Sequence, residues 1–196
     1  MLTIIEIYMV EVYKDVLNPA EYDKLETAFT SDEFPWYFSP HHLDSKFNPK
    51  EPDLWHFTHS IFDDKQTSIV HGGIRGDNKV LAQWNSPYYQ IATEGIVSFM
   101  DRVHGTGQLL RCKANLYTNQ GKQVHYRDHV DQADYGEREI LIAILSIGES
   151  SGGTVVGDIF YKSHKNQLIV LNNVSHHGVS QTDSQTRICI NYNFER

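Results

Sequence analysis

Cysteine is almost missing from this chain of 196 residues: only Cys112 and Cys189 occur, far apart and each among strand-forming neighbours. A disulfide framework is therefore not expected, and a reducing, cytoplasmic setting is. Basic residues are also scarce. Seventeen Lys and Arg against twenty-five Asp and Glu give a formal net charge of −8, and the cations do not cluster. The chain thus lacks the positive face that a nucleic-acid or acidic-membrane partner would require. Long apolar runs are absent too. The opening "MLTIIEIYMVEVYKDVL" is broken by Glu6 and Glu11, follows no basic segment and precedes no small-residue cleavage site. Neither a signal peptide nor a membrane span is expected. Internal repeats, low-complexity tracts and heptads are missing as well, so a single domain over 1–196 is expected.

What is present divides into two compositional halves near residue 105. In the first, residues 2–12 read as a strand, and "NPAEYDKLETAF" has the early proline and apolar spacing of a helix. The segment "TSDEFPWYFSPHHLDSKFNPKEPDLWHFTHSIF" follows, where Pro35, Pro40, Pro49 and Pro52 forbid long regular elements. Its aromatic density predicts a wall or lid that packs down. "SPYYQIATEGIVSFMDRVHG" has apolar residues at helical spacing.

From residue 108 the pattern is β. "QLLRCKANLYT", "REILIAILSIG", "GGTVVGDIFYK", "NQLIVLNN" and "TRICINYNF" are short runs of β-branched, aromatic and aliphatic residues between turn-forming ones. The expectation is a mainly β protein, a jelly-roll core over 106–196 with N-terminal helices packed outside, residues 1–105 forming the flank.

Candidate chemistry lies in two stretches. In "GKQVHYRDHVDQADYG", His129 and Asp131 are two apart, which on a strand puts an imidazole and a carboxylate on one face. The spacing alone is not specific: His42 and Asp44 repeat it among prolines, with no strand to orient them. The second stretch, "VSHHGVSQTDSQTRICINYNF", carries His176 and His177 in a turn and Arg187 at the start of the last strand. Two His and one carboxylate form a facial triad that leaves open positions on iron. An Arg nearby offers a bidentate fork to a carboxylate ligand. Taken singly, each residue has a plainer role: Asp131 solvating a strand end, His176 exposed in a turn, Arg187 paired with Asp183.

The order His, Asp, His, Arg, together with "FPWYF", "RCKANLY", "HVD" and "HHGVSQTDSQTR", resembles the iron(II) and 2-oxoglutarate dependent oxygenases. The likeness is to their small prolyl-4-hydroxylase-like members common in marine and cyanobacterial viruses, and it runs from about residue 34 to the end. It implies a double-stranded β-helix, with His129, Asp131 and His176 as iron(II) ligands and Arg187 as anchor for the distal carboxylate of 2-oxoglutarate. Tyr117 is implied as a second cosubstrate contact. His176 is preferred to His177 because Gly178 and the Thr-Asp before Arg187 align with it. The implied activity is hydroxylation of a protein, peptide or small molecule, peptidyl proline first, with 2-oxoglutarate and dioxygen consumed. A zinc or manganese enzyme on the same scaffold and a non-catalytic jelly-roll binding module are the alternatives.

Three other features are read as structural. "HGGIRG" at His71 lacks the strand, Lys and helix of a phosphate loop. His56 and His59 serve a packed strand, and Trp36, Trp55 and Trp84 serve core or lid packing.

Overall fold

Asn18 and Pro19 start the first helix, α1 (Pro19–Thr30), through a reciprocal cap. The Asn18 side chain accepts from the Glu21 N–H at 3.0 Å, and the Glu21 carboxylate accepts from the Asn18 N–H at 3.2 Å. Tyr22, Leu25 and Phe29 form its buried stripe. The second helix, α2 (Tyr89–His104), ends at Gly105, whose φ of 60° is left-handed and whose N–H closes on the Asp101 carbonyl. The computed structural model describes residues 10–40, 54–64, 86–131 and 138–196.

Both helices pack on one face of a seven-stranded antiparallel sheet. Its strands are β1 (Val10–Lys14), β2 (Tyr37–Ser39), β3 (His56–Asp63), β4 (Leu109–Thr118), β5 (Ile140–Ile147), β8 (Gln167–Asn172) and β10 (Thr186–Glu195). Their order is β1-β8-β5-β10-β4-β3-β2. A smaller sheet, ordered β7-β6-β9, is made from β6 (Gly153–Val156), β7 (Ile159–Lys162) and β9 (His176–Val179). One apolar core joins Tyr22, Leu25, Phe29, Ile96 and Met100 of the helices to Ala114, Leu145, Ile190 and Phe194 of the large sheet. The other joins Ile142, Ile144 and Ile169 on the opposite face to Val156, Val124 and Tyr126.

The chain alternates between the sheets. After β4 it passes along residues 124–129, which bridge to β9 at His125↔Val179 and His129↔His176. It then returns to β5, crosses to the β6–β7 hairpin, returns to β8, crosses to β9 and ends in β10. That winding is a double-stranded β-helix, as expected, with helices outside the large sheet.

Several local expectations change. "GGTVVGDIFYK" is a hairpin of two strands, because Gly157 takes a φ of 58° and Val156 pairs with Ile159 across the turn. His176 and His177 lie in strand β9, since Val156 and Val155 pair with them. The segment bearing His129 and Asp131 is not a regular strand; its backbone pairs with β9 through two isolated bridges. In the proline-rich region β3 runs for eight residues, past the last proline of that segment. β1 covers Val10–Lys14; the earlier part of the strand expected over 2–12 lies outside the described residues, as do His42, Asp44, His71 and Trp84.

Candidate metal centre and its cavity

The bridge between His129 and His176 exchanges two backbone hydrogen bonds, each 3.0 Å, so the residues sit directly opposite and present their rings to one side. The ring centroids are 4.6 Å apart. Asp131, two residues on, joins them, and one ligand atom from each of the three lies within 4.8 Å of the others. His177 alternates to the other side of β9, where its Nδ1 donates to Asp128 Oδ1 at 2.7 Å and its Nε2 lies 3.1 Å from His125 Nδ1.

Tautomers follow from the neighbours. His129 Nδ1 lies 3.1 Å from the Arg127 carbonyl and His176 Nδ1 2.9 Å from the Val174 carbonyl. A carbonyl only accepts, so both Nδ1 atoms carry the proton and both Nε2 atoms keep a lone pair. His176 Nε2 is buried without a hydrogen-bond partner, and His129 Nε2 lies 3.5 Å from Asp131 Oδ1. Three acceptor atoms converging on one point repel unless a cation lies between them, so the donor set fits a divalent metal. Asn193 Nδ2 donates to Asp131 Oδ2 at 3.1 Å and orients the carboxylate. Burial alone would raise the Asp131 carboxyl. The Arg111 guanidinium, with His129 and His176 once acid protonates them, outweighs it and holds the carboxyl far below the usual carboxylate range. Burial, more than any other influence, pulls His176 down and favours its neutral form.

At the far end of the same cavity lie Arg187 and Tyr117, opposite each other on β10 and β4. Arg187 is 2% exposed. Its Nε donates to Ser163 Oγ at 2.8 Å and its Nη2 to Thr154 Oγ1 at 3.4 Å, while Nη1 has no partner. The guanidinium carbon sits 5.1 Å from the Tyr117 ring centroid. No carboxylate among the described residues forms an ion pair with it. Asp183, its partner in the plainer reading, accepts from the Ser151 N–H at 2.8 Å instead. Gly178 keeps this end open: a Cβ there would stand 3.0 Å from Tyr117 Oη and 3.7 Å from Arg187 Nη1. Burial above all raises the Tyr117 phenol, so it stays protonated.

The cavity encloses about 220 Å³. Its walls include residues that sequence reading did not single out: Arg111, Lys113 and Asn115 on β4 and Asn191 on β10. A signal was there. "RCKANLY" and "RICINYNF" alternate between polar and apolar residues, Cys189 being the exception, and the apolar set (Cys112, Ala114, Leu116; Ile188, Ile190, Tyr192, Phe194) lies in the core under the helices. Such alternation normally means a solvent-facing strand; in the middle of this sheet the polar face lines a cavity. Desolvation pulls the Lys113 ammonium down to about 8, with Arg111 pushing the same way and Asp131 opposing.

The histidines read as structural are so placed. His59 Nδ1 contacts the Pro35 carbonyl at 2.8 Å and its Nε2 the Ser86 hydroxyl at 2.7 Å. His56 stacks on Tyr117 with centroids 5.6 Å apart. Trp36 packs on the helix-side core, and Trp55 packs at a tilt on Phe38 and edge-on against Phe57, forming a wall.

No protein-family model and no curated protein matches the chain. Solved structures do. A prolyl-4-hydroxylase from Pseudomonas putida superposes with a TM-score of 0.58 at 14% identity, over 97% of this chain and 94% of that one. An oxidoreductase of the 2OG-Fe(II) oxygenase family from Burkholderia pseudomallei gives 0.59 at 11%, over 95% and 85%. The non-haem alpha-ketoglutarate-dependent carbocyclase SnoK from nogalamycin biosynthesis gives 0.62 at 8%, over 95% and 79%. Fold and cluster together define the class: a double-stranded β-helix of the kind found in 2-oxoglutarate and iron(II) oxygenases, carrying a His-Asp-His triad. No helix among the described residues is long and apolar enough to cross a membrane.

Proposed function

We propose that this chain is an iron(II)- and 2-oxoglutarate-dependent dioxygenase. Its reaction converts 2-oxoglutarate, dioxygen and a substrate C–H bond into succinate, carbon dioxide and an alcohol. The observation that carries the reading is Arg187. A buried guanidinium whose Nη1 amino group is unpartnered among the described residues, and whose other contacts are neutral hydroxyls, costs several kcal/mol, and a dicarboxylate reaching it from the triad would supply the missing charge and hydrogen bonds.

His129, Asp131 and His176 would hold iron(II) on one side, which leaves its other positions for ligands. When bound, the metal supplies the oxidative chemistry, together with 2-oxoglutarate and dioxygen. The protein's own groups have separate tasks. The Arg127 and Val174 carbonyls fix the imidazole tautomers, and Asn193 fixes the carboxylate. Arg187 binds the distal cosubstrate carboxylate, Tyr117 packs its phenol beside it, and Gly178 leaves the space. The likeness to prolyl hydroxylases makes peptidyl proline the first substrate to assay, although fold likeness extends equally to a carbocyclase. We further propose that residues 1–196 act as one catalytic domain, since the helices share a core with the sheet that carries the site. Two buried free thiols suit a reducing cytoplasm.

Anaerobic titration of the iron(II)-loaded protein with 2-oxoglutarate tests this. A weak visible charge-transfer band is expected in the wild type, with succinate formed on exposure to oxygen, and Arg187→Ala should lose both while binding iron. A folded, iron-loaded wild type with no band and no succinate would sink the oxygenase reading and favour a zinc enzyme or a binding module.

A further inference from the structure

Three cations line the cavity, Arg111, Lys113 and Arg187, against one carboxylate, Asp131. This inference rests on the oxygenase reading, because that reading fixes how much charge is already assigned. A divalent iron, Arg187 and Asp131 together leave two positive charges, which the two carboxylates of 2-oxoglutarate cancel. Arg111 and Lys113 stand outside that balance. Neither makes an ion pair or a side-chain hydrogen bond among the described residues. Asp63 is opposite Arg111 on β3, yet it does not line the cavity and forms no salt bridge with Arg111. Two like charges two residues apart on one strand face repel each other, and in a chain of net charge −8 their placement together in this polar cavity is not a general excess of base.

Their position separates them from the cosubstrate end. Along β4 the cavity-facing residues are Arg111, Lys113, Asn115 and Tyr117, and Tyr117 faces Arg187. Arg111 faces Asn193, the residue that orients Asp131. Six residues of strand, about 20 Å, separate Arg111 from Tyr117, so one five-carbon diacid cannot serve both ends. We infer that Arg111 and Lys113 form a second anion site, across the metal cluster from Arg187, that binds the carboxylate of a small free-acid substrate. The Arg fork matches a planar carboxylate, the Lys adds a point charge, and Asn191, opposite Lys113, lines the same wall. A proline inside a peptide chain has no such group.

The test uses the iron(II)- and 2-oxoglutarate-loaded protein under anaerobic conditions. Matched N-acetyl amino acids, each as free acid and as primary amide, are titrated by calorimetry, with inorganic phosphate as a separate arm and the charge-transfer band followed in parallel. At least one free acid should bind about tenfold or more tightly than its amide, and Arg111→Gln or Lys113→Gln should remove that preference. Arg111→Lys, which keeps charge and loses the fork, should weaken acid binding while preserving the preference, and it stands in if Arg111→Gln does not fold. The inference is overturned if amides bind as well as acids, if no pair binds, or if phosphate outcompetes every acid. It also fails if the variants weaken 2-oxoglutarate binding itself, since the cations would then belong to the cosubstrate. A wild type with no charge-transfer band removes the oxygenase reading and this inference together, whereas a normal band with no acid preference removes this inference alone.

Discussion

Strands β5 and β10 lie side by side and pair residue for residue from Ile188↔Ile147 to Glu195↔Ile140. They nevertheless do different work. β5, "ILIAILSI", is buried at every position and apolar at all but one, with Leu141, Ala143 and Leu145 in the core beneath the helices and Ile140, Ile142 and Ile144 in the core between the sheets. β10 keeps the helix-side half of that pattern and replaces the other half with Arg187, Cys189, Asn191 and Asn193. The comparison teaches that a site can be cut into one face of a strand while the opposite face and the neighbouring strand retain the packing.

The sharpest way to break the comparison is at the triad. Asp131→Ala should lower iron(II) affinity by more than about a hundredfold, beyond what an outer partner typically costs, with the fold intact by circular dichroism; iron retained through anaerobic gel filtration would contradict the site. On the structural side, Leu145→Ala should cost about 3 kcal/mol in urea unfolding and leave iron bound per folded molecule unchanged. Unchanged stability there would mean that β5 is not the scaffold described. Asn193→Ala removes the hydrogen bond to Asp131 Oδ2 and should weaken iron about tenfold. Arg187→Leu should leave stability unchanged or raise it by about 1 kcal/mol, because a buried cation lacking its counter-ion is replaced by an apolar side chain; a large loss of stability would show that the guanidinium is structural.

Acid supplies the smallest effect. His176 is held below its ordinary 6.5 and Asp131 below its ordinary 3.8. A depressed folded-state value means that the unfolded chain binds the proton first, so each group's contribution is present above its ordinary value and lost as pH falls. The metal-free protein should therefore lose urea resistance on acidification, beginning below pH 6.5 through His176 and again below 3.8 through Asp131. His176→Gln should flatten the first part; an equal slope in wild type and variant would remove His176 as its source.

The winding was readable as far as local chemistry governs it. Pro19 ahead of an apolar-periodic run announces a helix, and the β-rich runs after residue 108 announce strands, because proline placement and pleated surfaces act over a few residues. His129, Asp131, His176 and Arg187 stood out by type and order, although the turn assigned to His176 was a strand and the strand assigned to His129 was two bridges. The preference for His176 over His177 became geometric only when pairing with Val156 turned one ring inward and the next outward. Arg111, Lys113 and Asn191 were legible only as the polar half of alternating strands, a pattern that looks the same whether its polar face meets water or a cavity.

By itself, then, the sequence determined which segments can be helix or strand and which side chains carry metal-binding and anion-binding chemistry, because propensity, capping and ligand type belong to single residues and close neighbours. The tertiary structure alone decided that residues nearly fifty apart meet across a β-bridge, that Arg187 is buried without a carboxylate partner among the described residues, and that the polar faces of β4 and β10 line one cavity. Those outcomes depend on strand register and sheet stacking, which only the closing of long-range contacts sets.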